Sequence, residues 1–178
     1  MWPMLRKTLG ILMTVQAMIA LSTAGAQSAA KAAPAVQEGG PTACSIINAD
    51  ELKRLTGLKD WLGKGPVPAD PSEVPKGVSE CEYLGLSFSL TSSMTPKWFD
   101  DTRTGQVKNG TKTQPVSGVG DDAYYWWDPK PGSLRQVGIA FRTGSHRLVI
   151  MDMTSSDSVE VVKPQLLAVA KATAPKLR

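Results

Sequence analysis

The sequence predicts an α+β domain, a mostly antiparallel sheet of about four strands with N-terminal and C-terminal helices and one disulfide. Three observations lead there. Period-two alternation runs through SECEYLGLSFSL, where Leu84, Leu86, Phe88 and Leu90 alternate with Gly85, Ser87 and Ser89. Three more strand-like segments, 123–127, 133–142 and 147–153, are joined by loops so short that antiparallel neighbours are the natural outcome. Helix signals flank this β-rich middle, CSIINADELKRLTG before it and SSDSVEVVKPQLLAVAKATAPKL after it.

Ahead of the domain, Arg6 and Lys7 precede an apolar run from Leu9 to Leu21, and Ala24-Gly25-Ala26 supplies a small-x-small pattern before Gln27. This is the arrangement of a cleaved export signal over residues 1–26. The run is short for a bilayer span, so no stable membrane span is expected after signal removal. No cysteine stands at the junction to carry a lipid, since the first is Cys44. Residues 27–42 are small and Ala-rich, interrupted by Pro34, Gly39, Gly40 and Pro41, and too poor in bulky apolar groups to offset the entropy of ordering. They read as a flexible spacer before a single domain over 43–174 with a tail over 175–178. The expected location is the periplasm or the external medium. Net charge is +4 for the whole chain, two of those charges depart with the leader, and the remaining signs are interspersed. That pattern does not describe a nucleic-acid footprint.

Two cysteines in an exported chain argue for a disulfide, and Cys44 with Cys81 is the single pairing available. A loop of this length is worth about 3–4 kcal/mol in the chain-entropy account. Between them, Asn48 is placed to cap a short helix, Glu51 falls at N3, Ile47 and Leu52 form a hydrophobic staple, and Gly57 supplies the C′ position. Leu58, Trp61 and Leu62 offer a further apolar turn. Pro66, Pro68, Pro71 and Pro75 then exclude a regular helix and argue against a central strand.

Thr95-Pro96 opens a second helix, with Trp98 and Phe99 expected inward and Gly105 as its end. QVKNGTKTQPVSG reads as a loop or a small hairpin. The segment 147–153 is apolar on both faces through Leu148, Val149, Ile150 and Met151, which suggests a central position. In the closing helix Ser156 is the expected cap and Val159, Val162, Leu166, Val169 and Ala170 form the inward stripe. Pro164 either kinks that helix or stands near the start of one beginning at about Lys163.

The combination PTACSIINADELKRLTG, CEYLGLSF, VSGVGDDAYYW and a closing hairpin with an Ala/Leu-rich helix resembles a broad group of small exported bacterial domains. These include uncharacterised actinobacterial lipoproteins. The resemblance covers roughly Pro41 to Ala172 and implies a compact, disulfide-stapled α+β unit without catalytic residues to carry over. The chain departs from the lipoprotein members in lacking a cysteine at the signal junction.

Chemistry-bearing constellations are sparse. His146 is the one histidine, set at a hairpin turn, and no GxSxG serine motif accompanies it. One imidazole and two committed thiols do not make a zinc site, and no cofactor fingerprint is present. Asp121 and Asp122 follow Gly118-Val119-Gly120 and would point in different directions, which suits backbone capping, or a weak ligand contact, better than paired-carboxylate chemistry. Alternation divides Ala123, Tyr125 and Trp127 from Tyr124 and Trp126, so the aromatic run cannot be one platform. The expectation is core for Tyr125 and Trp127, with Tyr124, Trp126, Asp121 and Asp122 as the residues that would meet a ligand or partner. The function expected is an exported binding module for an envelope protein, peptide or glycan, without catalysis. The alternatives are an assembly protein using an exposed aromatic sheet face and, behind it, a hydrolase.

Overall fold

The computed structural model describes residues 40–57, 66–83, 85–129, 136–152 and 158–178, all within one compact unit, Glu38–Arg178. Helix α1 (Ala49–Thr56) forms where its caps place it. The Asn48 side chain accepts from the Glu51 N–H at 2.8 Å, and Gly57, left-handed at φ 70°, donates to the Lys53 carbonyl. Eight residues are too few to hold a helix alone. Tertiary ties supply the rest: Ile47 and Leu52 are buried, and a disulfide joins Cys44 to Cys81 in strand β2 (Val78–Tyr83). The Tyr83 hydroxyl donates to the Ile47 carbonyl, so two covalently separate anchors hold the same segment. The apolar turn expected at Leu58, Trp61 and Leu62 lies outside the described residues, as do the expected leader and most of the expected spacer.

The sheet is larger than the four strands expected. Seven antiparallel strands lie in the order β1-β2-β3-β7-β6-β5-β4. Beyond β2 these are β1 (Val67–Pro68), β3 (Leu86–Thr91), β4 (Lys112–Val116), β5 (Asp122–Trp127), β6 (Val137–Thr143) and β7 (His146–Asp152). Three strands escaped the sequence reading for separate reasons. SECEYLGLSFSL is a hairpin, because Gly85 at φ 86° reverses the chain and pairs Tyr83 with Leu86. Strand β2 is polar on its outer side, so its inward Ser79, Cys81 and Tyr83 do not stand out as a hydrophobic run. The edge strands β1 and β4 contain Pro68 and Pro115, residues that an edge tolerates and a central strand does not. Strand β7 takes the central place that its two-sided apolar pattern predicts.

The two faces are filled differently. On the first, Leu86, Phe88 and Leu90 of β3, Val137, Ile139 and Phe141 of β6, and Leu148 and Ile150 of β7 are at most 4% exposed. Helix α1 and the C-terminal helix α3 (Val159–Thr173) cover this face, the latter through Val162, Leu166, Val169 and Ala170. Pro164 stands inside α3, which begins at Ser158 as its cap. Ser156, the cap expected from sequence, lies outside the described residues. The chain end is part of the fold: Ala174–Leu177 form a 3-10 turn, Leu177 is buried, and Lys176 pairs with Glu51 at 2.8 Å. Helix α2 (Pro96–Lys108) lies on the opposite face. Thr95 caps it, accepting from the Trp98 N–H at 3.2 Å, and the helix runs on through Gly105 to Lys108. Trp98 points outward, 50% exposed, and Phe99 is the only residue that α2 buries.

Candidate functional site

Strand β5 divides its aromatics as the period of two requires. Ala123, Tyr125 and Trp127 join the first-face core. There the Tyr125 hydroxyl donates to the Lys163 carbonyl at 3.0 Å, and the Lys163 ammonium lies 4.5 Å from the Trp127 ring centre. Lys163 as a residue is 8% exposed, and its ammonium donates to Gln114 Oε1 and Glu160 Oε1, both at 2.8 Å. An otherwise apolar stripe on α3 thus admits one cation because an aromatic face and two oxygens replace its water. Burial, and after it the Glu160 charge, pushes the Tyr125 pKa up.

Tyr124 and Trp126 face the other way, toward α2. Small residues on β6 make room for them: Tyr124 pairs with Ala140 and Trp126 with Gly138. A Cβ on Gly138 would fall 2.5 Å from the Trp126 indole, so the ring lies across the glycine itself. Tyr124 is fully buried beneath Phe99, the ring centres 5.2 Å apart, with the Arg103 guanidinium 5.7 Å from its centre. The ring is therefore covered by the protein and offers no contact surface in this conformation. Trp126 is half-buried and its Nε1 has no hydrogen-bond partner.

The acids after the glycine turn are taken up locally. Asp121 Oδ2 accepts from the Gly144 N–H at 2.8 Å and from Arg142 Nη1 at 3.1 Å, while its own N–H donates to the Arg142 carbonyl at 2.7 Å. It ties the start of β5 to the β6–β7 turn. Gly120 is obligatory beside it, since at φ 56° a Cβ would collide with the Arg142 carbonyl and lie 2.8 Å from Thr143 Oγ1. Asp122 faces α2, 3.8 Å from Arg103 Nη1, and Arg103 also holds Asp100 at 2.7 Å. Asp121 and Asp122 thus do not converge on one point, in keeping with a capping role.

Register brings together groups that the sequence reading did not single out. Arg142 and Arg147 are direct cross-strand partners on the second face, in line with Asp122. Equal spacing on either side of the hairpin turn was the available signal, because it places them opposite one another once the turn is located. Arg147 lies near Tyr124, and burial pushes the Tyr124 pKa up while the charges of Arg147 and Arg103 partly oppose the shift. Arg142 Nε and Arg147 Nε nevertheless lack acceptors, and Tyr124 Oη, to which the Arg147 guanidinium donates, has none for its own proton. His146 stands at the first position of β7, paired across the turn with Thr143. Among the described residues, no group of three or more His, Cys, Asp or Glu side chains could hold a metal ion. A recess of about 430 Å³ opens at the start of α1, walled by Ile46, Ile47 and Pro66 and rimmed by the Glu51–Lys176 ion pair.

Compared with protein families, curated proteins and solved structures, the chain matches none. What can be said of function therefore rests on its own residues. The disulfide places the folded chain in an oxidising environment outside the reducing cytosol. No helix among the described residues is long and apolar enough to cross a membrane.

Proposed function

We propose that the chain is an exported binding module, acting in the periplasm or the external medium, whose second sheet face and helix α2 form the side that meets an envelope protein, peptide or glycan. The unequal covering of the two sheet faces carries this reading. The first face is closed by α1 and α3. The second keeps Ser87, Ser89, Val149, Met151 and Trp126 only half-buried, and α2 adds an exposed Trp98 beside them. Partly exposed aromatics next to small and polar residues suit recognition of a surface with both apolar and hydrogen-bonding groups. The leader over residues 1–26 and the resemblance to exported bacterial lipoprotein domains support the same location. Binding is favoured over hydrolysis because Asp121 and Asp122 are engaged with Arg142, Gly144 and Arg103.

Two measurements test the reading. Fusing residues 1–26 to a reporter active only outside the cytosol is expected to give activity, and its absence would remove the location. Immobilised mature domain is expected to retain an envelope component that Trp98→Ala or Trp126→Ala releases while Val161→Ala, an exposed change on α3, does not. Retention that ignores both tryptophans, or that Val161→Ala abolishes, would move the binding side elsewhere.

A further inference from the structure

Arg142 and Arg147 share one rung of the β6–β7 ladder on the second face. Like charges directly opposite each other work against a sheet, so their pairing needs a compensating partner. Only one of them has it. Arg142 Nη1 donates to Asp121 Oδ2 at 3.1 Å and to the Gly144 carbonyl at 2.9 Å. Asp100 and Asp122 face Arg103, and among the described residues Arg147 forms no ion pair. Three carboxylates in this corner are thus taken up by two of its three guanidiniums.

Donors without an acceptor gather in this corner, although the unpartnered buried atoms also include Gln106 Oε1 on α2. Arg142 Nε and Arg147 Nε are N–H donors shielded from solvent, and Tyr124 Oη, on a residue with no exposed surface, can donate as well. Tyr124 occupies the neighbouring rung, paired with Ala140, whose methyl group leaves the ring free to reach toward β7. Buried donors are nearly always satisfied, and a group of them without acceptors beside an uncompensated cation has the chemistry of an oxyanion site. We propose that Arg147, Arg142 and Tyr124 bind the oxyanion head of a small ligand, a carboxylate or a phosphate, beneath helix α2.

Helix α2 is suited to admit it. Phe99 is its one buried residue, packed at a tilt against Tyr124, while Lys97, Trp98, Asp100 and Asp101 remain in solvent. Lifting this helix uncovers Tyr124, beside the two arginines, without disturbing the first-face core. The planar guanidinium of Arg147 then offers two parallel donors to the oxygens, a geometry a lysine cannot reproduce.

The mature domain, disulfide intact, is titrated with sodium acetate and separately with inorganic phosphate, sodium chloride holding ionic strength constant, and the thermal midpoint is followed. A saturable rise is expected with at least one oxyanion. A response to acetate alone assigns a carboxylate, and one to phosphate alone a phosphoryl group. Arg147→Met, which keeps an apolar stem over the sheet, is expected to weaken affinity at least about tenfold, and Arg147→Lys to fall between it and the native chain. A linear response shared by the native domain and Arg147→Met overturns the site, as does saturable binding that Arg147→Met leaves intact. Should Arg147→Met not fold, Arg147→Lys decides alone: weakened affinity supports the site, and unchanged affinity overturns it. The inference rests on the second face being the binding side, yet the two fail separately. A domain that retains its envelope partner through Trp98 but shows no saturable oxyanion response keeps that reading and loses this one.

Discussion

Gly138 lies opposite Trp126 in the β5–β6 ladder, and the indole fills the space that a side chain there would need. Gly138→Ala is expected to destabilise the domain by about 1–3 kcal/mol, because the ring must swing off the sheet to make room. Denaturant unfolding gives the loss, and tryptophan emission gives the cause: a red shift that disappears when the substitution is repeated in a Trp126→Phe background. The two neighbouring tyrosines provide a contrast. Tyr125 Oη has an acceptor in the Lys163 carbonyl, so Tyr125→Phe should lower stability by about 1 kcal/mol. Tyr124 Oη has no acceptor for its proton and only Arg147 as a donor, so in chloride buffer Tyr124→Phe should cost less than Tyr125→Phe. Equal losses at both positions would show that Tyr124 has an acceptor after all. Alternation alone separates these residues onto two faces. Which hydroxyl is satisfied depends on α2 and α3, elements distant in sequence, and no local pattern carries that information.

Among the elements, α2 is the one whose sequence signals were followed least faithfully. Its start is legible because Thr95 and Pro96 act on the backbone locally. Its end is not, since Gly105 reads as a stop although a glycine inside a helix costs only about 1 kcal/mol, too little to end one by itself. Trp98 was expected inward with Phe99, but adjacent helical positions are 100° apart and only one of them can face the sheet. With a single buried residue, α2 should open before the rest of the domain. Native-state hydrogen exchange is expected to show α2 amides exchanging through a local opening of lower free energy than those of β6 and β7. Equal protection in helix and central strands would contradict a loosely held cover. The polar strand β2 and the proline-bearing edges β1 and β4 were missed for a related reason: each is held by a neighbour's backbone, and little in its own side-chain pattern announces it.

For the whole molecule, the disulfide and the tyrosines set the conditions under which the fold persists. Reducing the Cys44–Cys81 bond frees a loop that includes α1, and the chain-entropy account gives a loss of about 2–5 kcal/mol. Unfolding midpoints with and without reductant measure it, and a change below about 1 kcal/mol would assign the anchoring of α1 to Tyr83 and Ile47 instead. All three tyrosines, Tyr83, Tyr124 and Tyr125, have pKa values raised by burial. The unfolded chain releases their protons near pH 10 while the folded chain retains them. Their contribution is therefore complete below about pH 10 and declines as pH rises above it. Urea midpoints across this range should fall, and fall less steeply in Tyr124→Phe.

By itself the sequence determined the short-range features: the helix caps at Asn48 and Thr95, the cysteine pairing, the division of the aromatic strand into two faces and the central place of β7. These depend on groups within a few residues of one another, or on a pairing with no alternative. Only the tertiary structure decided that the sheet has seven strands, that α2 lies on the second face, and that Arg142 and Arg147 meet beside Tyr124. Each of those outcomes is a matter of register and of packing between distant segments, where the energy of a residue is set by what folds against it.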